Sequence, residues 1–233
     1  MGEGTYPDWD QASQHGIGDC YLLASLAALA HTPEGQAALA RMVRWDEDKG
    51  AFVVTFQTED GPVEVVVRDT YDGGLTYPAT GAGLFDIIEK AYGQQFGWQD
   101  LTNGGPGAEA MSRITGGHVD TVYHGRDAAG QRDPMSAREW SRLQAAMTAG
   151  QPVVADTDID QTTTVTDVNG TSRSVYAGHA YTVTAIGPDW IEVRNPWGNN
   201  GYPGGTYDPS PVVRMSRAEY ERVFGWTEIG STG

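Results

Sequence analysis

The sequence predicts an α+β fold in two lobes, the first mainly helical and the second mainly antiparallel sheet. Three observations carry this. The run Cys20–Ala30 is apolar on almost every face and reads as a buried central helix. β-rich segments crowd the last third of the chain, at 152–155, 174–186 and 190–195. With 233 residues, 39% hydrophobic and 20% charged, the chain is long enough for two modest lobes around separate cores.

Taken in order, residues 6–18 read as an irregular lead-in with polar residues and glycines. The helix that follows opens at Asp19 or Cys20 and stops near Thr32-Pro33, where proline cannot continue it. A more amphipathic helix is expected over 34–42. Strands are expected over 51–58 and 62–68, with Asp60-Gly61 as the hairpin turn between them. After a Gly/Thr/Tyr loop, 83–96 reads as a third helix with Leu84, Ile87, Ile88 and Ala91 on one stripe. Residues 101–107 are Gly-rich, and the lobes divide close behind them near Gly116-Gly117, giving 1–115 and 116–233. Ser136 caps a helix over 136–149, Glu139 completes the capping box and Gly150 ends it. Strands at 181–186 and 190–195 turn at Gly187-Pro188-Asp189. A short helix over 217–224 and a closing strand over 226–229 finish the chain. Thr162-Thr163-Thr164 reads as a mobile loop.

The formal net charge is −16. Nucleic acid and anionic membrane faces would be repelled by it, so neither is an expected partner. The longest apolar run is about half of the ~20 residues a bilayer crossing needs. No basic, apolar export signal opens the sequence. The chain therefore reads as soluble, cytoplasmic or delivered as part of a larger exported protein. A single cysteine excludes an internal disulfide and a multi-cysteine metal site.

That cysteine sits at the polar mouth of the apolar helix. Thiols attack as thiolates, and a helix N-terminus and a nearby imidazolium both lower a thiol pKa. The compact residues Gly16-Ile17-Gly18-Asp19 leave one wall of the sulfur open. His179 enters a strand and Asn195 leaves the next one, so the two fall on adjacent strands about 4.8 Å apart. A carboxamide there can fix the tautomer of the ring and aim its other nitrogen at the thiol.

Gln14-His15-Gly16-Ile17-Gly18-Asp19-Cys20-Tyr21-Leu22-Leu23-Ala24 resembles the active-site signature of calpains. Gly178-His179-Ala180-Tyr181-Thr182-Val183-Thr184 is similar to their histidine motif, and Arg194-Asn195-Pro196-Trp197-Gly198 to their asparagine motif. The segments around Glu89-Lys90-Ala91-Tyr92, Gly104-Gly105, Thr115-Gly116-Gly117 and 215–224 extend the likeness over nearly the whole chain. The resemblance implies a papain-like cysteine protease core that hydrolyses peptide bonds through an acyl-enzyme. It implies Cys20 as nucleophile, His179 as base, Asn195 as the orienting group and Gln14 as an oxyanion donor. It implies backbone pairing of Gly104 and Gly105 with an extended substrate, Trp197 as a shield for the His–Asn bond, and Gly178 with them in the substrate-binding set.

His15 stands where calpains usually have glycine, and Tyr21 where they have tryptophan. After Gly198 the chain reads Asn199-Asn200-Gly201-Tyr202-Pro203-Gly204-Gly205, short of the carboxylates that hard cations prefer. No metal and no cofactor are expected, with calcium left open as the weaker alternative. Asp156, Asp158, Asp160 and Asp167 fit positions 1, 3, 5 and 12 of an EF-hand count, but Gln161 and Asp167 break that pattern. They read as a solvated acidic loop that gates the cleft. His31, His118 and His124 read as surface or loop residues. The expected partners are protein substrates and, for a protease domain of a larger bacterial toxin, an inhibitor or immunity protein. Acyl transfer to an amine by the same groups, and a silent binding module on this fold, are the alternatives. The intact set of Gln14, Cys20, His179 and Asn195 argues against the silent module.

Overall fold

The apolar run becomes α1 (Cys20–Ala30), and every one of its residues is buried. The computed structural model describes residues 13, 14, 16–72, 75–78, 83–201 and 207–232. Residues 1–12, which take in the start of the lead-in, His15 and residues 202–206 lie outside that set. Leu22, Leu26 and Leu29 are each wholly enclosed, worth roughly 1.5–3 kcal/mol apiece. Thr32 ends α1 and caps α2 (Pro33–Met42), its Oγ1 accepting the Gly35 N–H at 3.1 Å.

β1 (Val43–Asp46), β2 (Ala51–Thr58) and β3 (Gly61–Val67) form an antiparallel sheet in that order. The expected hairpin is present, with Thr58 opposite Gly61. β1 was not expected from its short, charged sequence. The supposed loop after it pairs as β4 (Asp69–Asp72) with β5 (Leu75–Pro78). α3 (Leu84–Phe96) buries Phe85, Ile87, Ile88 and Ala91. Two helices were hidden by their Gly-rich setting, α4 (Trp98–Thr102) and α5 (Gly107–Thr115). Gly104, between them, takes a φ of +80°, and Gly116 closes α5 at +70°, both left-handed turns that glycine alone adopts cheaply.

The remaining elements are β6 (Val119–Tyr123), α6 (Ala137–Thr148), β7 (Val153–Thr157), β8 (Thr163–Thr166), β9 (Ser172–Val175), β10 (Ala180–Ile186), β11 (Trp190–Arg194), β12 (Val212–Ser216), α7 (Arg217–Val223) and β13 (Phe224–Gly230). The capping box of α6 forms as read, with the Ser136 N–H donating to Glu139 Oε2 at 2.7 Å. A six-stranded antiparallel sheet runs β12-β11-β10-β7-β13-β6. The threonine run is no loop: Thr163 and Thr164 pair with Val175 and Ser174 in the β8–β9 hairpin, as β-branched residues favour.

Two further expectations are corrected here. The four aspartates do not form one solvated loop. Asp156 lies in β7, Asp158 and Asp160 share the Arg126 guanidinium, and Asp167 binds Arg173. His124 is fully buried, stacked on Tyr220 and 2.9 Å from Thr227 Oγ1; burial lowers its pKa to about 4.

Buried apolar residues gather in two clusters. One is drawn from residues 20–114 with Val154 and Ala180; the other lies within 122–229. α1 ties them together, since Thr182 Oγ1 on β10 donates to the Ala24 carbonyl at 2.8 Å. A second stitch runs from the first turn of α5, where the Ala108 N–H donates to Glu228 Oε2 on β13 at 2.6 Å. Among the described residues, no helix is long and apolar enough to cross a membrane.

The approach to Cys20 is set by close packing. A Cβ on Gly18 would stand 2.3 Å from the Thr102 carbonyl oxygen, whereas one on Gly16 would meet nothing within 4 Å. Gly18→Ala is expected to destabilise the fold by about 1–3 kcal/mol. Gly16→Ala should leave the urea midpoint near the wild-type value. Equal midpoints for the two variants would show that Gly18 is not tightly packed.

Candidate active site

His179 immediately precedes β10, and its backbone is locked before its ring is considered. Its N–H donates to Thr157 Oγ1 at 3.0 Å, and its carbonyl accepts the Thr157 N–H at 3.1 Å. Asn195 follows β11, the strand hydrogen-bonded to β10, and is wholly buried. Nε2 of His179 lies 2.9 Å from Asn195 Oδ1, and the Trp197 N–H reaches the same oxygen at 3.0 Å. A backbone N–H can only donate, so the carboxamide atom facing it is the oxygen. The ring nitrogen on that oxygen must then carry the hydrogen, which leaves Nδ1 as the bare, basic nitrogen.

The ring is walled by aromatics. Trp197 lies 4.7 Å away between centroids, Tyr181 5.0 Å and Tyr176 6.3 Å. Burial drives the imidazole pKa down to about 4, against the Asn195 hydrogen bond. Asn200, which the sequence reading did not single out, is fully buried, and its Oδ1 accepts from Asn195 Nδ2 at 3.4 Å. Its place five residues after Asn195 was the available signal, but only a folded loop brings the two amides together.

Cys20 opens α1 with 8% of its surface exposed. The backbone N–H of Ala180, the residue after His179, hydrogen-bonds its sulfur. That contact brings the first turn of α1 to the start of β10. Burial nevertheless pushes the thiol up to about 11; the Ala180 N–H opposes this and the Asp156 and Asp19 carboxylates add to it. The sequence led us to expect a standing thiolate. Burial works against both the thiolate and the imidazolium, so desolvation opposes the helix end at the sulfur.

Gln14 is fixed at the same place. Its N–H donates to the Pro196 carbonyl at 2.8 Å, and its Nε2 to the Ile17 carbonyl at 2.6 Å. One Nε2 hydrogen remains for another acceptor. Gly105 lies over Tyr21, where a Cβ would come within 3.2 Å of the ring. Tyr21, in the place of the family's tryptophan, donates its hydroxyl to the Asp100 carbonyl at 2.8 Å. Gly178 takes a φ of +60° immediately before His179.

Two buried acids support this turn from behind. Asp19, the N-cap of α1, is wholly enclosed, and Glu89 of α3 hydrogen-bonds it. Burial, then the charge of Asp19, pushes the Glu89 carboxyl up to about 9. The pair therefore shares a proton at neutral pH. Nothing local marks such a pair, since its partners sit on different helices.

The family described as calpain family cysteine protease matches over residues 8–223. Human Calpain-9 is 29% identical over 227 residues, covering 89% of this chain and 31% of that protein. Calpain-9 of Rattus norvegicus is 30% identical over 232 residues, covering 91% of this chain and 32% of the relative. The Calpain-2 catalytic subunit of Bos taurus is 31% identical over 218 residues, covering 85% and 29%. The chain thus spans about a third of the length of the curated relatives it matches.

The shared proton makes the turn before Cys20 sensitive to alkali. The folded pKa of Glu89 is raised, so its contribution is complete below the ordinary glutamate pKa and is lost as pH rises through about 9. Glu89→Gln keeps a hydrogen-bond donor toward Asp19 without a titrating proton. Its melting temperature should hold between pH 7 and 10 while the wild type falls by several degrees, as followed by circular dichroism. Parallel falls in both proteins would remove the shared-proton account.

Proposed function

The chain belongs to the calpain family of cysteine proteases, and from that premise we propose that Cys20, His179 and Asn195 are its nucleophile, base and orienting group. Membership makes the chain a calpain-type cysteine endopeptidase. The observation that carries the assignment of roles is the double acceptance at Asn195 Oδ1, which leaves His179 Nδ1 as the only ring nitrogen able to take a proton.

The reaction then follows from a neutral pair. As the sulfur attacks the peptide carbonyl, its proton passes to Nδ1, and the two charges appear together. The oxyanion is met by the Cys20 N–H, which the first turn of α1 leaves without a helical acceptor, and by the spare Nε2 hydrogen of Gln14. Each donor is worth roughly 3–4 kcal/mol in such chemistry. The imidazolium returns the proton to the departing amine, leaving a thioester. Water attacks that thioester with Nδ1 again as base, and the sulfur recovers its hydrogen. Trp197, Tyr176 and Tyr181 keep water from the His179–Asn195 bond. Gly104 and Gly105 offer backbone to an extended peptide, which glycine permits at close approach.

The finer architecture belongs to the same reading. Two papain-like lobes, 1–115 and 116–233, meet along α1; the division of buried apolar residues into two clusters supports this. Assembly without calcium is supported by Asp158, Asp160 and Asp167, whose carboxylates are already matched by Arg126 and Arg173. Protein substrates are the partners implied.

Cys20→Ala should abolish cleavage of a denatured protein substrate and remove labelling by iodoacetamide. Asn195→Ala should lower kcat by about 10²–10⁴-fold through loss of ring orientation. Cleavage that survives in Cys20→Ala would overturn the assignment. A labelled amine incorporated faster than peptide is hydrolysed would move the second step from water to amine.

A further inference from the structure

One row of the six-stranded sheet begins beside Cys20 and runs outward. Ala180 on β10 faces Asp156 on β7, Asp156 faces Trp226 on β13, and Trp226 faces Tyr123 on β6. Residues directly opposite on antiparallel strands share a face, with Cβ atoms about 4.5–5.5 Å apart. The inner end of the row gives its N–H to the Cys20 sulfur. At the outer end Trp226 and Tyr123 are 36% and 48% exposed, with ring centroids 5.3 Å apart.

Asp156 sits between these ends, and it lacks a cation. Its Oδ2 is buried without a hydrogen-bond partner, and among the described residues no lysine or arginine pairs with it. Its near neighbours Asp158 and Asp160 both hold Arg126. The acid closest in charge to it, Glu228, is committed to the Ala108 N–H. Burial, then Glu228, raises the Asp156 carboxyl well above the usual range, as befits a carboxylate deprived of a counter-charge.

A buried carboxylate oxygen with nothing to accept, next to exposed indole and phenol rings, is a receptor for a desolvated cation. A guanidinium or ammonium would supply the missing donor and lie against the aromatic faces. We propose that Asp156, with Trp226 beside it and Tyr123 one strand beyond, forms a specificity subsite for an arginine or lysine side chain of the peptide substrate, within about three residues of the bond cut. The proposal rests on Cys20 being the nucleophile. The net charge of −16 would draw basic segments toward the cleft. A neutral side chain of equal length would leave Oδ2 unpaired, and that penalty is what discriminates.

The test uses internally quenched peptides identical except at one position, scanned over three residues on each side of the cleaved bond with arginine, lysine, norleucine or glutamate. At one position wild type should favour arginine over norleucine in kcat/KM by about tenfold or more. Asp156→Asn should bring that ratio close to one, and Trp226→Leu should reduce it several-fold. Wild type that prefers norleucine everywhere, or a ratio unchanged in both variants, overturns the subsite. Iodoacetamide labelling of Cys20 reports folding of each variant; if Asp156→Asn does not fold, the Trp226→Leu ratio decides. Calorimetric titration of Cys20→Ala with the arginine and norleucine peptides separates the two claims. Preference for arginine there, without cleavage by wild type, would keep the subsite and sink the protease roles.

Discussion

Everything near the candidate nucleophile depends on α1 having no solvent face. A helix buried on all sides cannot slide or rotate without exposing leucines or breaking its tie to β10, where Thr182 Oγ1 donates to the Ala24 carbonyl. Its first residue is therefore delivered to a fixed point at the start of β10. There the chain on either side is fixed too: Gly18 lies against the Thr102 carbonyl, and Gln14 is bonded to the Pro196 carbonyl beside Asn195. The sulfur comes from α1, and the ring and the carboxamide from the ends of the β10–β11 hairpin far along the chain. Packing sets the position of α1 against β10, and hydrogen bonds orient the His179 ring on Asn195.

The same burial has an electrostatic cost. It raises the thiol and lowers the imidazole, so burial favours the uncharged form of each. Trp197, Tyr181 and Tyr176 stand around the imidazole, and burial there disfavours charge. The site thus gains a defined tautomer and gives up a standing ion pair. Catalysis by such a pair requires that charge be created at the moment it is used, with donors already aimed at where it develops.

How much of this was legible depended on whether a feature was local. The α1 run, the Ser136–Glu139 box and the β10–β11 hairpin carry their signals in adjacent residues, and each was read directly. The motifs around Cys20, His179 and Asn195 were legible because they lie on such local elements. β1, β12, α4 and α5 were not, since short strands and helices flanked by glycine or proline gain their stability from neighbours far along the chain. The acids were misread for the same reason. Asp156 looked like one of four solvated aspartates, yet its register holds it between Ala180 and Trp226 with Oδ2 buried, while Asp158 and Asp160 turn to Arg126. His124 gave no sign of burial, because Tyr220 and Thr227 cover it from the end of the sequence. The biological setting has no residues of its own to read.

Carboxylates around a thiol nucleophile look self-defeating, since Asp156 and Asp19 both oppose its ionisation. The objection weakens when the reacting unit is the pair. A negative charge that disfavours the thiolate favours the imidazolium beside it, and Coulomb energies fall only as the inverse of distance. An acid several ångströms from both therefore raises both pKa values, and its net effect on proton transfer between them is small. What it does change is the cost of any other charge entering the cleft. An anionic substrate group would meet the full repulsion, whereas a cationic one would be attracted. An acidic cleft is thus compatible with thiol chemistry on one condition: the proton must move within the site, from sulfur to Nδ1, and not out to solvent.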